Sequence, residues 1–306
     1  MQDLRVCLYD DGIGERVGSV VEDRVYDLNR CCAAQLCRAR GVSQTDGLAR
    51  NMAPPDLAAF LSGGPAVIEA SRRGLEWALK DGGEGPSDRP LYRELADVNL
   101  RAPILPTTKV ICMGLVYKTH ADISGAPPHP EPRYFTKMSQ VVVGPDEWVV
   151  LPKHYPEPVV YGTELTVVFG KTGRSIPVDK VDEHVWGYTV LNDVTMRGRP
   201  SPSHKVFETS APVGPWIVPK DQIADPQHLR LTFRVNGEQV QDDTTGNMLW
   251  KIPEMIAEVS KWLTLNPGDI LATGDVGATT HVKPGDVMEA EVEGVGVLRN
   301  PVKLED

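Results

Sequence analysis

The stretch "VVYGTELTVVFG", Val159 to Gly170, is apolar and β-branched and reads as a core strand. One carboxylate, Glu164, stands inside it, with a glycine, Gly162, two residues earlier. Burying an unpaired charge costs several kcal/mol or forces the group to stay protonated. The strand therefore implies a partner for Glu164, and a cation is the usual one.

Around this strand the chain from residue ~100 onward is mostly β. Short runs such as "KVICMGL", "VWGYTVLNDVT", "APVGPWIV" and "LRLTFRVNGEQVQ" are separated by Pro and Gly turns. Asn236-Gly237 between two alternating runs predicts a two-residue hairpin. "NPGDILATG" and "KPGDVMEAE" look like one turn used twice, each opening a strand. A single clear helix, "IPEMIAEVSKWLTL", interrupts the β region, with Pro253 expected at its first position and Ile256, Val259 and Leu263 on its apolar face. The first hundred residues differ: "LRVCLYD" and "RVGSVVEDRVYDLN" read as strands, and "DLAAFLSGG" and "AVIEASRRGLEWALKDGG" as helices with Gly stops. The expectation is an α+β, mainly β protein. Residues 1–103 form a small N-terminal α+β domain, and residues 104–306 a mixed β-roll or sandwich rather than a doubly wound sheet.

The bulk numbers narrow the function. With 41% hydrophobic and 24% charged residues in 306, the chain is globular in composition. A net charge of −10 argues against a nucleic-acid partner, which needs a basic face. It also means that an anionic substrate requires a local metal, Arg or Lys. Five cysteines include three in "RCCAAQLC", read as reduced thiols on a helix (Cys31, Cys32, Cys37) rather than a zinc site. No apolar run has the ~18 residues of a membrane span, and no signal segment is visible, so a cytoplasmic location is expected.

Three segments carry chemistry. "GLVYKTHADISG" holds His120, the opening strand holds Glu164, and "GYTVLNDVTMRG" holds Asp193, four residues ahead of Arg197. Two acids in separate core strands converge only if something neutralises them, and oxygen donors suit Mg²⁺, Mn²⁺ or Ca²⁺ better than zinc. The bland alternatives are an Asp193 that caps a turn and a Glu164 paired with an arginine.

In order and spacing, "GLVYKTHAD", "EPRYFTK", "YGTELTVVFGK", "GYTVLNDVTMRG", "KVFETSAPVGPWIV", "VNGEQVQDDTTGNMLW" and "LNPGDILATG" resemble the fumarylacetoacetate hydrolase family over residues ~105–300. The resemblance implies a mixed β-roll and a homodimer. It also implies Mg²⁺ or Mn²⁺ and the cleavage, decarboxylation or isomerisation of 2-oxo or β-diketo acids. Carried over by position, it implies Glu164 and Asp193 as metal ligands, with Gly162 where the family has its first Glu, so that the metal is expected to be weakened or absent. It implies catalytic roles for His120 and Lys205, and substrate binding by Arg197, Lys137, Thr273 and Gly274. Tyr117 and Tyr161 flank these and could donate hydrogen bonds to a small anionic substrate. The family's glutamate three residues after the histidine falls on Ile123, with Asp122 about 100° away on a helix. Its glutamine after the arginine falls on Pro200. Its Thr-Gly-Thr-Pro segment reads "TGDV" here. Asp275 in that segment is either a solvated turn residue or a new carboxylate.

Three functions follow as alternatives. The first is a metal-assisted enzyme on a small 2-oxo or 1,3-dicarbonyl acid, working through a stabilised enolate. The second is a metal-independent lyase, cyclase or dehydratase on the same fold, and the third a non-catalytic ligand-binding protein.

Overall fold

Thr163–Phe169 forms a strand buried at every position, because both of its faces are covered. Leu165, Val167 and Phe169 point into one apolar core and Val168 into another. Each such buried side chain contributes about 1.5–3 kcal/mol, enough for the strand to retain one costly carboxylate. The structure, a computed structural model, describes residues 3–40, 45–81, 90–125, 127, 129–154, 158–198 and 204–306. Pro200 lies outside the described residues.

The strand sits inside a twelve-stranded sheet. Its neighbours are Val185–Asn192 on one side and Ile270–Ala272 on the other, both antiparallel to it. Val110–Gly114 runs parallel to Ile270–Ala272, and Arg133–Lys137 pairs antiparallel beyond it. In the other direction Ala211–Pro219 joins Val185–Asn192 and then Val6–Asp10, at Val6↔Ile217. Glu15–Val21, Arg24–Asp27 and Tyr92–Glu94 complete that edge. The N-terminal strands expected from the sequence are thus present. They share hydrogen bonds with the later strands, so the boundary placed at 103/104 does not divide the sheet.

A second, five-stranded sheet runs in the order Glu238–Thr244, Arg230–Val235, Val287–Val292, Gly296–Leu304, Val149–Leu151. Phe233, Met288, Ala290 and Leu298 from it share one core with Leu165, Val167 and Val190. The helices Leu28–Arg40, Leu57–Ser62 and Gly64–Asp81 cover the opposite face of the large sheet through Leu28, Phe60, Leu61 and Leu75. The mainly-β α+β class is confirmed as a sheet-on-sheet sandwich with helices on its outer side.

Local signals resolve as read. Asn236 and Gly237 have φ of 53° and 81°, the two positive values a type I′ hairpin needs. The two Pro-Gly-Asp turns are built alike: Asp269 accepts from Asn266 N–H at 2.7 Å and Asp286 from Lys283 N–H at 2.8 Å. Cys31, Cys32 and Cys37 lie on one helix, and none of the five cysteines is in a disulfide. The interrupting helix is Ile252–Trp262, one residue earlier than expected, with Pro253 second. Glu254 accepts from Lys251 N–H at 2.8 Å and closes the first turn. None of the described helices is long and apolar enough to cross a membrane.

Candidate active site

Four neighbouring strands of the large sheet bring their chemistry to one edge. In the antiparallel register Thr163 faces Asn192 and Glu164 faces Leu191. Glu164 at the start of one strand therefore lies beside Asp193 just past the end of the next, and Asp193 N–H donates to Gly162 O at 3.0 Å. Ile270–Ala272 ends at the same edge and leads into Thr273-Gly274-Asp275. Val110–Gly114, parallel to it, leads into the helix Lys118–Ser124, which carries His120. One carboxylate oxygen each from Glu164, Asp193 and Asp275 lies within 4.8 Å of the other two. Asp275 is 8% exposed and therefore a buried member of the cluster, not a solvated turn residue.

Three buried carboxylates repel one another, and each solves this differently. Burial opposes ionisation of Asp193, but Lys137 and Lys205 outweigh it and hold the carboxyl well below the usual range. Lys137 Nζ lies 2.9 Å from Asp193 Oδ1, and Lys205 Nζ pairs with Oδ2 while donating to Thr195 Oγ1 at 2.8 Å. Among the described residues no cation pairs directly with Glu164. Burial, then Asp193 and Asp275, push its carboxyl well above the usual range. Its Oε2 accepts from Gly274 N–H at 2.7 Å, while Oε1 is buried without a hydrogen-bond partner. Burial likewise raises Asp275, with His120 acting against it and Asp193 reinforcing it. A buried, orphaned carboxylate oxygen facing two further carboxylates is the donor set of a hard divalent cation, and Mg²⁺ or Mn²⁺ fits it.

His120 Nδ1 is 3.2 Å from the Asp275 carbonyl oxygen and 3.5 Å from Asp275 Oδ1. Both are acceptors, which assigns the proton of the neutral ring to Nδ1 and leaves Nε2 to exchange one. The histidine lines a cavity of about 340 Å³ with Tyr161, Asp193, Arg197, Lys205 and Asp275. That volume suits a small organic acid. Glu164 reaches Asp193 and Asp275 without itself lining it.

Several residues expected here do other work. Tyr117 is fully buried in the core and does not line the cavity. Lys137 has a side chain with no exposure, and its Nζ donates to the carbonyls of Val194, Lys205 and Ser210 at 2.8–3.0 Å. It holds the Asp193 loop rather than facing the cavity. Thr273 binds Leu165 O through its hydroxyl at 2.9 Å, and Gly274 serves Glu164 through its N–H. Asp122 is exposed and away from the cavity. The sequence did not single out Thr195, which anchors Lys205, or Gln241. The latter accepts from Thr163 N–H at 3.3 Å and donates to Gly277 O at 2.9 Å, tying the strand to the loop of Asp275. No motif announces either. His204, the residue before Lys205, is also on the cavity wall.

A larger cavity of about 620 Å³ lies between the helix Gly64–Asp81 and the segment Gly170, Lys171 and Trp186. Its charges pair across it, Arg72 with Asp221 and Lys171 with Glu183, and the carboxylate cluster is not part of it.

This arrangement defines a class. Residues 109–303 match the family described as "Fumarylacetoacetate (FAA) hydrolase C-terminal", and the chain belongs to that family and is an enzyme of it. The mitochondrial oxaloacetate tautomerase FAHD2A of Homo sapiens is 36% identical, over 81% of this chain and 80% of its own length. The mitochondrial oxaloacetate tautomerase fahd2 of Xenopus laevis is 38% identical, over 95% and 87%. Maleylpyruvate hydrolase from Sphingobium sp. SYK-6, solved with manganese(II) and pyruvate, superposes with a TM-score of 0.75. It is 28% identical, over 99% of this chain and 100% of that one.

Proposed function

We propose that the protein interconverts the keto and enol forms of a small 2-oxo dicarboxylic acid of the oxaloacetate type, with a divalent cation held by Glu164, Asp193 and Asp275. The carrying observation is the orphaned Glu164 Oε1 among three buried carboxylates, beside a cavity lined by His120, Lys205 and Arg197. When bound, the cation supplies Lewis-acid polarisation of a substrate oxo oxygen. Lys205 and Arg197 neutralise and orient the substrate carboxylates. His120 Nε2 takes the proton from the carbon beside the oxo group as the electron pair moves to oxygen, then returns it to that oxygen. Ile123, one turn on from His120, offers no carboxylate to activate a water, which favours proton transfer over hydrolysis.

The test is the rate of oxaloacetate enol–keto conversion by chelator-stripped protein. Activity should vanish on stripping and return with Mg²⁺ or Mn²⁺, with acylpyruvates cleaved more slowly if at all. Conversion that survives EDTA would overturn the cation and point to metal-independent acid–base work by His120 and Lys205.

We also propose a homodimer. Trp262 and Val178, 65% and 53% exposed, are large apolar side chains left on the surface of two elements that pack together, and a second copy would cover them. Light scattering should give twice the chain mass at micromolar concentration; the mass of one chain would refute it.

A further inference from the structure

Gly162 is a glycine for want of space. Its φ is outside the left-handed region, so its backbone accepts any residue. A Cβ built there, however, would stand 2.4 Å from both Cβ and Cγ of Asp275. Position 162 is two residues before Glu164, so a side chain on it would leave the chain on the Glu164 face. Residues 162 and 275 thus contend for one volume beside Glu164, and in this chain the loop residue occupies it. That loop is shaped for the purpose. Gly274 and Gly277 have φ of +91° and +85°, Gly277 N–H donates to Asp275 Oδ1 at 2.6 Å, and Gln241 fastens Gly277 O to the strand of Glu164.

The same residue reaches the acid–base group. Asp275 presents its carbonyl oxygen at 3.2 Å and Oδ1 at 3.5 Å to His120 Nδ1. His120's own helix supplies no carboxylate to the ring: Asp122 is exposed, and residue 123 is isoleucine.

We propose that Asp275 completes the cation site in the space a side chain at position 162 would fill, and that it also positions His120. One side chain then does work that could be divided between two. The proposal rests on the cation reading above and assigns this residue two separable tasks. The ligand task can be moved to position 162, because the volume is shared. The positioning task cannot, because a carboxylate carried by the strand is not held against His120 by Gly277 N–H as Asp275 Oδ1 is.

The experiment is calorimetric titration of the full chain with Mn²⁺, together with kcat and KM for oxaloacetate. The variants are Asp275→Ala, Asp275→Asn, Gly162→Glu and the double variant Gly162→Glu/Asp275→Ala. Asp275→Ala and Asp275→Asn should each weaken Mn²⁺ at least about tenfold. Gly162→Glu alone should also weaken it, since the two side chains collide. The double variant should regain most of the affinity and the wild-type KM, while kcat remains at the Asp275→Ala level, because His120 keeps the carbonyl of residue 275 but has lost the Oδ1 carboxylate at 3.5 Å. Wild-type affinity in Asp275→Asn would overturn the ligand assignment. A folded double variant that gains no affinity would overturn the exchange, and one that regains kcat as well would overturn the positioning role. If the double variant does not fold, Asp275→Asn, which keeps the shape and removes one charge, decides the ligand assignment. A wild-type protein silent to Mn²⁺ would instead refute the cation reading itself.

Discussion

Glu164→Gln is expected to raise the thermal stability of the metal-free protein at neutral pH and to abolish its stabilisation by Mn²⁺. Glu164 is 1% exposed, and one of its oxygens has no partner. Burial, with Asp193 and Asp275 adding to it, raises its carboxyl above the unfolded value. A raised carboxyl pKa favours the fold below the unfolded pKa, about 4.3, and that contribution is lost as pH rises through the folded pKa. At neutral pH the metal-free protein therefore carries an unfavourable group. Glutamine keeps an acceptor for Gly274 N–H and turns the orphan into a donor toward the neighbouring carboxylates. The gain should be about 1–3 kcal/mol, read as a rise of several degrees in Tm. It should shrink as pH falls toward 4. With Mn²⁺ at 100 times Kd the wild type should gain about 2.7 kcal/mol and the variant almost nothing. Scanning fluorimetry with and without metal reads both effects. A metal-free variant less stable than wild type, or one still stabilised by Mn²⁺, would sink the argument.

The second large effect separates two lysines that both touch Asp193. Lys137 is wholly buried and ties Asp193 to three backbone carbonyls. Removing one partner of such a buried charge network costs about 3–5 kcal/mol, so Lys137→Met should lower folding stability by that order. Lys205 has a side chain 18% exposed, lies over the Phe135 ring at 4.7 Å and lines the cavity. Lys205→Met leaves Lys137 to balance Asp193. The protein should fold while kcat/KM for a dicarboxylic substrate falls about 10²–10³-fold, much of it in KM. Denaturant titration and steady-state kinetics on both variants test this. Lys205→Met with kcat/KM unchanged would reduce Lys205 to a structural counter-ion, and a stable Lys137→Met would remove the anchor role.

Much of the frame was readable because its causes are local. The hairpin at Asn236-Gly237 needs two positive φ values, which Asn and Gly provide. The repeated Pro-Gly-Asp turns close on their own aspartates, and the thiol-bearing helix follows from its own residues. The chain also singled out Glu164, Asp193, His120, Lys205 and Arg197, two acids because they stood in apolar runs and the others because they held matching places in a family pattern, and the structure brings them to one end of the sheet.

At three positions the packing, not the linear pattern, sets the surroundings. Tyr117 was singled out as a neighbour of His120, and Lys137 through the family pattern, while the packing buries Tyr117 in the core and turns Lys137 to three carbonyls. Gly162 marks a missing carboxylate in the linear pattern, which records what a position lacks and not that Asp275 fills the space beside it.

The sequence alone determined which segments become strands, helices and turns, and which side chains carry charge into apolar surroundings, because periodicity, backbone φ and the cost of burying charge act within a few residues. Only the tertiary structure decided that Val6 pairs with Ile217, that four strands end at one edge, and that Asp275 lies where a side chain on residue 162 would be. Excluded volume and charge balance act between atoms close in space, whatever their separation along the chain.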